Sequence, residues 1–521
     1  MSTSSINRVS GMVSGLDTDI LVKKLMAAES VGLNKAKQKQ QTLTWRSDSY
    51  RKWNSDIFTF RSSAVFNMKL DSSYNTYSTT SSNPDSMSGV ATADAVDGTF
   101  NYQISNLAQS ATIKSNIVLD PTAALTNTPT TLTITGTNQS GVPSTATVSV
   151  KAGDKIGDVI AAINTAKDAS GNSIGLKAVY DTTLKQLIIK TKDTGAKTQI
   201  SISSSDAGFL DTTLGFSGSQ DADNANGFNG NTGAYVTGSS SNSTNPNVAK
   251  DAKIKFNGTD VTSSSNTVNI MGVNYTLKNV TTGTNTVTVT RDIDAEVKNI
   301  KDFVSKYNDL LDKLNSVISE PVYKDYQPLT DDQRTAMSET QITQWETKAK
   351  SGLLNNDSTL KGLVNNLRNH MTSKVDNGSI YNSLSSIGIA SQNYTDKGKL
   401  YIDETKLRNA IQADPDAIKS LFSQSPSDNT DTKKGMAVKL YDDFKNAISM
   451  LVDKAGSSGS IQSDQSYIGK LLTQTSTFIT TETDRLNKKE SSYYAKFTAM
   501  ETAMNKYQSQ SSYLAQNLSG K

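Results

Sequence analysis

The sequence predicts an α+β multidomain protein with terminal coiled-coil helical arms (legs), a helical domain and two nested β-rich or α+β head domains. Three observations carry this prediction. Apolar residues recur at helical spacing near both ends, they alternate with polar residues through the middle, and the order of these patterns is nearly symmetric along the chain. At 521 residues the chain is long for one domain and fits three or four.

The first arm is predicted within the first 80 residues, which read as helical. Asp17 or Thr18 can cap a helix that begins near Ile20. One face of this helix carries Ile20, Leu21, Leu25 and Ala28. After a polar stretch, apolar side chains return, and from Tyr50 onward their spacing of three and four residues is typical of a coiled-coil seam. The seam comprises Leu43, Tyr50, Trp53, Ile57, Phe60 and Ala64.

The second arm is predicted between Lys470 and Ser519, where no Pro or Gly interrupts the chain. A continuous helix of about 50 residues would be roughly 75 Å long. Its apolar stripe follows heptads with one stutter and comprises Leu472, Ile479, Leu486, Tyr493, Phe497, Met500, Met504, Tyr507, Leu514 and Leu518. One such stripe would indicate an ordinary core-facing helix. Two at opposite ends, too long for a compact domain, favour mutual packing or assembly.

The middle of the chain has the period of two that is typical of strands. Residues 87–114 alternate around Gly98, a hairpin-like signal, and residues 130–150 contain two runs around a turn. A short helix at 154–166 and further strands indicate a small α+β insert over about 115–220. The further strands are expected at 175–181, 185–192 and 198–205.

The Gly-, Asn- and Ser-rich stretch 217–250 is predicted to form an exposed loop. Strands then resume in 252–294, with a tight turn at Asn257-Gly258. From Asp294 the apolar period becomes helical again. Later helices are expected at 331–350, 357–372, 403–422 and 433–452, with a strand-like piece at 400–403.

This order of patterns indicates domains inserted within one another, with both ends of the chain together. We predict a terminal leg region, partly disordered in isolation, a helical domain, a β-rich domain and a variable α+β insert. Their bounds are 1–45 with 466–521, 46–82 with 294–465, 83–114 with 250–293, and 115–249.

Charge and composition exclude several functional classes. The 53 basic and 50 acidic residues nearly balance without a Lys/Arg block, so we expect no nucleic-acid partner. No stretch of 18 apolar residues occurs, so we expect no membrane span. The start of the sequence lacks the basic and apolar regions of a Sec signal, so export would use another route. The absence of cysteine excludes disulfides and thiolate chemistry.

The search for catalytic or metal-binding residues is negative. His370 is the only histidine, so it cannot build a His-rich metal site, and we interpret it as a surface or half-buried helix residue. The stretch 221–227 fails three key positions of a calcium loop. Two adjacent carboxylate pairs, Asp331-Asp332 and Asp442-Asp443, are interpreted as lying at helix starts or on exposed faces. We therefore expect no enzyme activity, no catalytic residue, no metal and no cofactor.

Distinctive motifs lie near the start of the chain and in its second half. Ser14-Gly15-Leu16-Asp17-Thr18 is followed by Leu21-Val22, by Leu25-Met26 and by Glu29. A later helix carries Asp302-Phe303-Val304 and Tyr307-Asn308. Together these motifs resemble those of the bacterial flagellar filament-capping family, hook-associated protein 2 or FliD. The resemblance covers nearly everything except 115–250. One difference is that the family's terminal Arg-Tyr-x-x-Phe element, in which a Gln can precede the Phe, reads Tyr493-Tyr494-Ala495-Lys496-Phe497 here, so that the aromatic spacing is kept and the Arg is lost.

The resemblance implies a structural function. It implies a secreted protein at the distal tip of the flagellar filament that forms a homo-oligomeric ring of about five copies, within a range of roughly four to six. The implied partners are further copies of the chain, flagellin, the flagellar type III export machinery and an export chaperone at the C-terminal helix. The ring would promote the folding and insertion of flagellin and prevent its loss during filament elongation.

We predict that the legs pack through two sets of side chains. The first set is Leu486, Phe497, Met500, Met504 and Leu514, and the second is Leu25, Leu43, Trp53 and Ile57. Two other functions remain open. A surface adhesin would use the β-rich head to bind mucin or a host surface, either in place of capping or as an additional role. A coiled-coil scaffold such as a hook–filament junction protein would share the arms but lack the motifs at Ser14 and Asp302.

Overall fold

The computed structural model describes residues 17–206, 208–216, 226–229, 234–237, 248–428, 430–457 and 464–518. The chain forms two compact units. The helical unit combines Met1–Ser73 with Val297–Lys521, and the β unit is Tyr74–Glu296. Helical ends around β-rich segments confirm the predicted fold class. The finer division into four domains stays a prediction.

Most of the α-helices belong to the helical unit. In chain order the helices are α1 (Thr18–Glu29), α2 (Val31–Phe60), α3 (Ile156–Thr165), α4 (Ile293–Ile318), α5 (Asp331–Thr335), α6 (Glu339–Lys350), α7 (Ser358–Thr372), α8 (Glu404–Ala413), α9 (Pro415–Ser423), α10 (Met436–Ala455) and α11 (Tyr467–Leu518). The helix α3 lies in the β unit, and α4 begins there.

The strands lie almost entirely in the β unit. They are β1 (Tyr77–Ser81), β2 (Met87–Ala91), β3 (Gly98–Asn106), β4 (Thr112–Lys114), β5 (Thr130–Thr137), β6 (Pro143–Val150), β7 (Leu176–Asp181), β8 (Gln186–Thr191), β9 (Gln199–Ser204), β10 (Asn226–Asn229), β11 (Ala234–Thr237), β12 (Ala252–Phe256), β13 (Thr259–Ser263), β14 (Thr267–Ile270), β15 (Val273–Leu277) and β16 (Asn285–Arg291). The short pair β17 (Ile389–Ala390) and β18 (Tyr401–Ile402) belongs to the helical unit.

One core of the β unit lies between a five-stranded sheet, β1-β16-β3-β12-β13, and a three-stranded sheet, β14-β15-β2. The ring of Phe256 lies 5.5 Å from those of Phe100 and Tyr275, measured between centroids. The predicted turn at Asn257-Gly258 is confirmed, because both residues have positive φ, at 50° and 85°, between paired β12 and β13. This geometry matches the twist of a two-residue hairpin.

A second core of the β unit is built from the sheets β10-β11-β9-β5-β6 and β4-β8-β7, with α3 packed against β6 and β7. The predicted hairpin at 130–150 is confirmed as β5 paired with β6. The short helix is confirmed as well, and its side chains Ile156, Val159 and Ile163 are buried. The turn residues, the apolar period of two in the strands and the apolar period of 3.6 in the helix are sufficient to predict these elements.

Two predictions for the first third of the chain are wrong. Residues 87–114 do not form a hairpin around Gly98, because β2 pairs with β15 whereas β3 pairs with β12 and β16. Alternation identifies a strand but does not reveal its neighbour. The first 80 residues are also not entirely helical, since β1 begins at Tyr77 and pairs with β16.

The helical unit is centred on α4, whose predicted apolar face is completely buried. That face comprises Val297, Ile300, Phe303, Val304, Tyr307, Leu310, Leu311 and Leu314. The ring of Phe303 lies 6.4 Å from those of Phe60 and Phe422, and the Phe60 ring meets Phe444 at 5.3 Å. These aromatic contacts join α2, α4, α9 and α10.

Two predicted helices are each divided into two. Residues 331–350 form α5 and α6, because the side chain of Ser338 caps α6 through Gln341. Residues 403–422 form α8 and α9, because the Asp414 side chain accepts a hydrogen bond from Ala417 N and Pro415 occupies the first turn of α9. A proline in this position starts a helix but cannot continue the preceding one.

Candidate functional site: the terminal arms

The two ends of the chain pack against each other within the helical unit. The helix α2 continues through the polar stretch after residue 33 without a break, and α11 is one helix of 52 residues, as predicted. Both α1 and α2 pack against α11, and α2 also packs against α10. The arms are therefore a paired structure within one chain.

The helix α1 begins as predicted but presents a different face to its partner. Asp17 caps it by accepting a hydrogen bond from Ile20 N at 3.0 Å. The predicted apolar face is wrong, because Ile20 is 51% and Leu25 40% exposed. Thr18 and Val22 are buried instead. Spacings of four and seven place Thr18, Val22 and Glu29 on one side of α1, and the contacts of Glu29 explain this orientation.

Glu29 is held by three groups of α11, which with it we call the arm latch. Its carboxylate accepts a hydrogen bond from the Tyr493 hydroxyl at 3.1 Å. Lys489 Nζ lies 3.3 Å and Arg485 Nη1 3.4 Å from its oxygens. The bonds from Lys489 and Tyr493 lower the pKa of Glu29 below its usual value. The latch therefore holds the end of α1 to α11 by charge, with Glu29 ionised.

The arm latch also accounts for a difference noted in the sequence. The resemblance noted above implies an arginine at the position that Tyr493 occupies in this chain. Here the cations come from the preceding turns of α11, and Tyr493 contributes its hydroxyl instead. The adjacent Tyr494 hydroxyl donates to Asp19 Oδ1 at 3.0 Å. Helical spacing could have placed these groups on one face of α11, but it could not identify Glu29 as their partner.

Arg51 fastens the other end of the paired arms. Its Nε donates to the carbonyl of Ala455, the last residue of α10, at 2.9 Å. Its Nη2 lies 2.9 Å from Asp464 Oδ2, just before α11 begins. Asp464 Oδ1 accepts from Ser466 N at 2.9 Å, which satisfies a backbone donor beside the start of α11. One arginine of α2 thus connects two helices that follow each other in sequence.

A buried polar joint connects α2, α7 and α10. Asp357 caps α7 by accepting from Thr359 N and Leu360 N, both at 3.0 Å. Its other oxygen accepts from Tyr50 Oη at 2.7 Å and Lys454 Nζ at 2.6 Å. Burial opposes the charge of Asp357, but these donors, Lys454 first, lower its pKa. Burial and the nearby carboxylate raise the pKa of Tyr50.

The structure covers some of the predicted leg-packing residues and leaves others exposed. Leu43, Trp53, Ile57 and Leu486 are buried. Phe497 and Met500 are half-buried. Three others are not covered by described residues, since Leu25 is 40%, Met504 38% and Leu514 59% exposed. The predicted leg packing of α11 beyond Met500, at Met504 and Leu514, therefore stays a prediction.

The motif residues of α4 have structural roles. Phe303 is in the aromatic core, and Asp302 pairs with Lys298 on the surface at 2.5 Å. Asn308 donates to Leu400 O at 2.8 Å and accepts from Leu400 N at 2.9 Å, which positions the strand β18. Tyr307 is fully buried, and no described residue bonds its hydroxyl. The motif residues Ser14, Gly15 and Leu16 lie outside the described residues.

The other singled-out polar residues do not form a reactive cluster. His370 is half-buried at the end of α7, with Nε2 2.9 Å from Asp443 Oδ2. The exposed position expected for Asp443 is wrong, because its side chain is only 12% exposed against α7. Asp331 begins α5, as interpreted, and pairs with Lys37. Within the described ranges, no group of three His, Cys, Asp or Glu side chains could hold a metal ion. The stretch 221–227 lies mainly outside those ranges.

Comparisons with known proteins agree with one another on a single family. A model of the flagellar hook-associated protein 2 C-terminus matches residues 249–509, and one of the N-terminus matches residues 14–111. The flagellin hook IN motif matches residues 131–193. None of the helices in the described part of the chain is long and apolar enough to cross a membrane.

Full-length relatives extend this similarity over both units. The flagellar hook-associated protein 2 of Halalkalibacterium halodurans is 28% identical over 98% of this chain and 99% of its own length. The B-type flagellar hook-associated protein 2 of Pseudomonas aeruginosa is 30% identical over 70% of this chain and 68% of its own length. The crystal structure of the D1-D2-D3 domains of the Escherichia coli flagellar cap protein FliD covers 82% of this chain and 99% of that one, with a TM-score of 0.51 and 23% identity.

Proposed function

Because this chain belongs to the flagellar hook-associated protein 2 family, we propose that it forms the structural cap at the distal end of a flagellar filament. Copies assemble into a homo-oligomeric ring of about five, within a range of roughly four to six. The ring promotes the folding and insertion of exported flagellin and prevents the loss of subunits. The protein works by assembly, and its function requires no catalytic residue.

The observation that carries this proposal is the uncovered end of α11. Beyond Met500, α11 continues for five turns, and five of its large apolar side chains there are exposed. These exposed side chains are Met504, Tyr507, Tyr513, Leu514 and Leu518. Burying one such side chain contributes about 1.5 to 3 kcal/mol, so a helix of this kind is stabilised by a partner. Flagellin and neighbouring copies in a filament tip are the partners we propose for it.

The proposed route to this position is secretion by the flagellar type III machinery, with an export chaperone on α11 before export. A long helix with an uncovered apolar stripe suits this role, because the same surface can be covered first by a chaperone and then by the filament. The localisation that follows is the distal filament tip.

Deletion of residues 470–521 tests the proposal directly. We expect the shortened chain to lose filament capping, since it lacks the arm latch and the exposed stripe, while the region 80–300 stays folded. Filament growth in cells that lack the intact protein, and circular dichroism of the purified chain, measure the two effects. Normal filaments with the shortened chain would refute the proposal.

A milder variant separates the exposed stripe from the rest of α11. Leu514→Asp with Leu518→Asp should prevent filament growth, whereas Gln508→Asp with Ser511→Asp, which add the same charge at exposed polar positions of the same helix, should permit it. Mass measurement and electron microscopy of the purified protein, alone and on filament ends, would determine the number of copies in the ring.

The adhesin function stays a second prediction for the β unit. The stretch 217–250 that suggested it was predicted as a loop, and that prediction is wrong for its described part, since β10 and β11 lie within it and β11 pairs with β9. Its other residues lie mostly outside the described ranges. Binding of the full chain to immobilised mucin, compared with a variant lacking residues 238–247, would test the adhesin function while keeping β10, β11 and the arms.

A further inference from the structure

An open groove lies in the helical unit between α4, α7 and the segment before β18. It encloses about 680 Å³, which is within the range of ligand and peptide sites. Its apolar part is formed by Ile318, Met371 and Leu400. Its charged lining residues are Lys361, Arg368 and Lys397, all basic. We call it the Arg368 groove.

Arg368 is fixed in this groove by the protein backbone. Its Nε and Nη2 donate to Lys397 O at 2.8 and 2.5 Å. Gly398 follows with φ at 93°, and a Cβ there would lie 2.8 Å from Arg368 Cγ, so only glycine permits this approach. The guanidinium has five donors. Its Nη2 also lies 3.4 Å from Asn315 Oδ1, and within the described residues no carboxylate pairs with it. The cations of Lys361 and Lys397 have no ion-pair partner among described residues either.

An ordered apolar projection lies in the loop that follows α7, starting three residues after Thr372 of the groove. Ile380 is 79% exposed, although the loop that carries it is well ordered by hydrogen bonds. Val375 N donates to Asn382 O at 2.7 Å and closes the loop, which we call the Ile380 loop (residues 375–382). Asn377 Nδ2 donates to Ala417 O at 3.2 Å, which attaches the loop to α9. The loop therefore holds one isoleucine in a fixed position with most of its apolar area available for burial by a partner.

The surroundings of the Ile380 loop are acidic. Asp376 is within the loop, and Asp414 and Asp416 lie beside it at the start of α9. Asp414 accepts from the Ser379 hydroxyl at 2.9 Å. None of the three carboxylates has an ion-pair partner in the part of the chain that the structure describes, and Lys374 is the cation next to the loop in sequence. The loop therefore presents an apolar side chain with excess negative charge.

We propose that the Ile380 loop of one copy docks in the Arg368 groove of a second copy. Ile380 packs on Ile318, Met371 and Leu400, and the carboxylates beside the loop approach Lys361 and Arg368. The groove and the loop use different residues, so the contact is not a single patch shared by both copies. The apolar anchor supplies burial, and the opposite charges supply orientation and partner choice. This inference rests on the proposed self-assembly and assigns residues to it.

Cross-linking of single-cysteine variants tests the contact, because the chain contains no cysteine. Ile380→Cys protein is mixed with Lys361→Cys protein and treated with a short bis-maleimide. We expect a heterodimer at least about tenfold above that from Ile380→Cys mixed with Ser305→Cys, where the second cysteine is exposed but outside the groove. Mass measurement of each untreated mixture reports the oligomeric state independently. Oligomers that give no more heterodimer than the control would overturn the docking alone, whereas a chain that remains monomeric at all concentrations would overturn both the docking and the ring.

A charge exchange provides a second test that does not depend on cross-linking geometry. Lys361→Glu and Asp416→Lys each change an exposed residue without a described ion-pair partner. Lys361→Glu should keep the wild-type melting temperature, whereas Asp416→Lys should lower it slightly, because Asp416 lies in the first turn of α9, where the helix dipole favours a negative charge. Each should weaken self-association about tenfold, and the double variant should recover to within about threefold of the wild type. Additive weakening in the double variant would contradict the proposed pairing.

Discussion

Glu296 shows how one residue can make the stability of the β unit depend on pH. Its side chain is fully buried, with Oε2 3.0 Å from Arg291 Nη2. Burial raises the pKa of Glu296 to about 7, although Arg291 opposes this shift. Its other oxygen, Oε1, has no hydrogen-bond partner within the described ranges. Ionisation therefore places a charge in the interior that a single arginine only partly compensates.

The sign of the resulting pH dependence follows from the raised pKa. The folded state holds the Glu296 proton more tightly than the unfolded state does, so this stabilisation is present below the ordinary pKa of 4.5 and is lost as pH rises through about 7. We expect the free energy of unfolding of the β unit to fall by up to about 3 kcal/mol between pH 5 and pH 8. Urea denaturation at both values measures it. Glu296→Gln should remove most of the difference, and an unchanged pH dependence in that variant would contradict the assignment.

Glu29 provides the opposite case at the surface. Its pKa is lowered by Lys489 and Tyr493, so the arm latch is intact at neutral pH and is lost as pH falls through this lowered pKa. Glu29→Gln should make the amides of α1 exchange with solvent about two- to fivefold faster at low salt, and high salt should reduce the difference. Hydrogen exchange by mass spectrometry measures this. Glu490→Gln, a neighbouring change on α11 outside the latch, should leave α1 unaffected, and an equal effect from both would argue against the latch.

At the scale of elements, the stability of the helical unit depends on how its helix ends are joined. Asp357 caps α7 and also accepts hydrogen bonds from Tyr50 and Lys454, and its side chain is only 7% exposed. Asp357→Ala removes a cap and leaves two donors without an acceptor in a buried place, so we expect a loss of about 3 kcal/mol. Asp331→Ala removes a pair in which Asp331 is 84% exposed and should cost less than about 1 kcal/mol. Urea denaturation of the two variants compares them, and equal losses would show that the joint is not special.

The elements also show what could be predicted from the sequence. The buried face of α4 and the seam of α2 were predictable because apolar burial determines both, and burial leaves a period in the sequence. The buried face of α1 was not predictable, because it depends on the contacts of Glu29 with α11. One of these partners, Arg485, lies 456 residues away in the sequence. Residues 403–422 were predicted as one helix although Pro415 marks the break between α8 and α9, so this miss was avoidable. The pairing of β2 with β15 could not be predicted, because strand register depends on distant partners. The charged groups of the arm latch and the Asp357 joint leave no such period.

At the scale of the whole molecule, α11 combines a well-anchored beginning with an uncovered end. Its first part contains several threonines, whose hydroxyls bond the carbonyls four residues earlier, as at Thr475, Thr477 and Thr481. Threonine is a weak helix former, so this part depends on its contacts with α1, α2 and α10. The last turns instead expose Tyr507, Tyr513, Leu514 and Leu518. One continuous helix therefore has two regions of different stability.

This difference predicts how α11 changes on assembly. In the free protein, the amides of residues 504–514 should exchange at least about a hundredfold faster than those of α10, because the side chains of Tyr507, Tyr513 and Leu514 are exposed whereas α10 is packed among other helices. In caps on filament ends they should be protected, since the stripe is then buried, while α10 should change little. Hydrogen exchange on both preparations measures this, with the Leu514→Asp and Leu518→Asp protein as a control that cannot become protected. Equal protection of residues 504–514 in the free and capping states would mean that the end of α11 does not enter the filament.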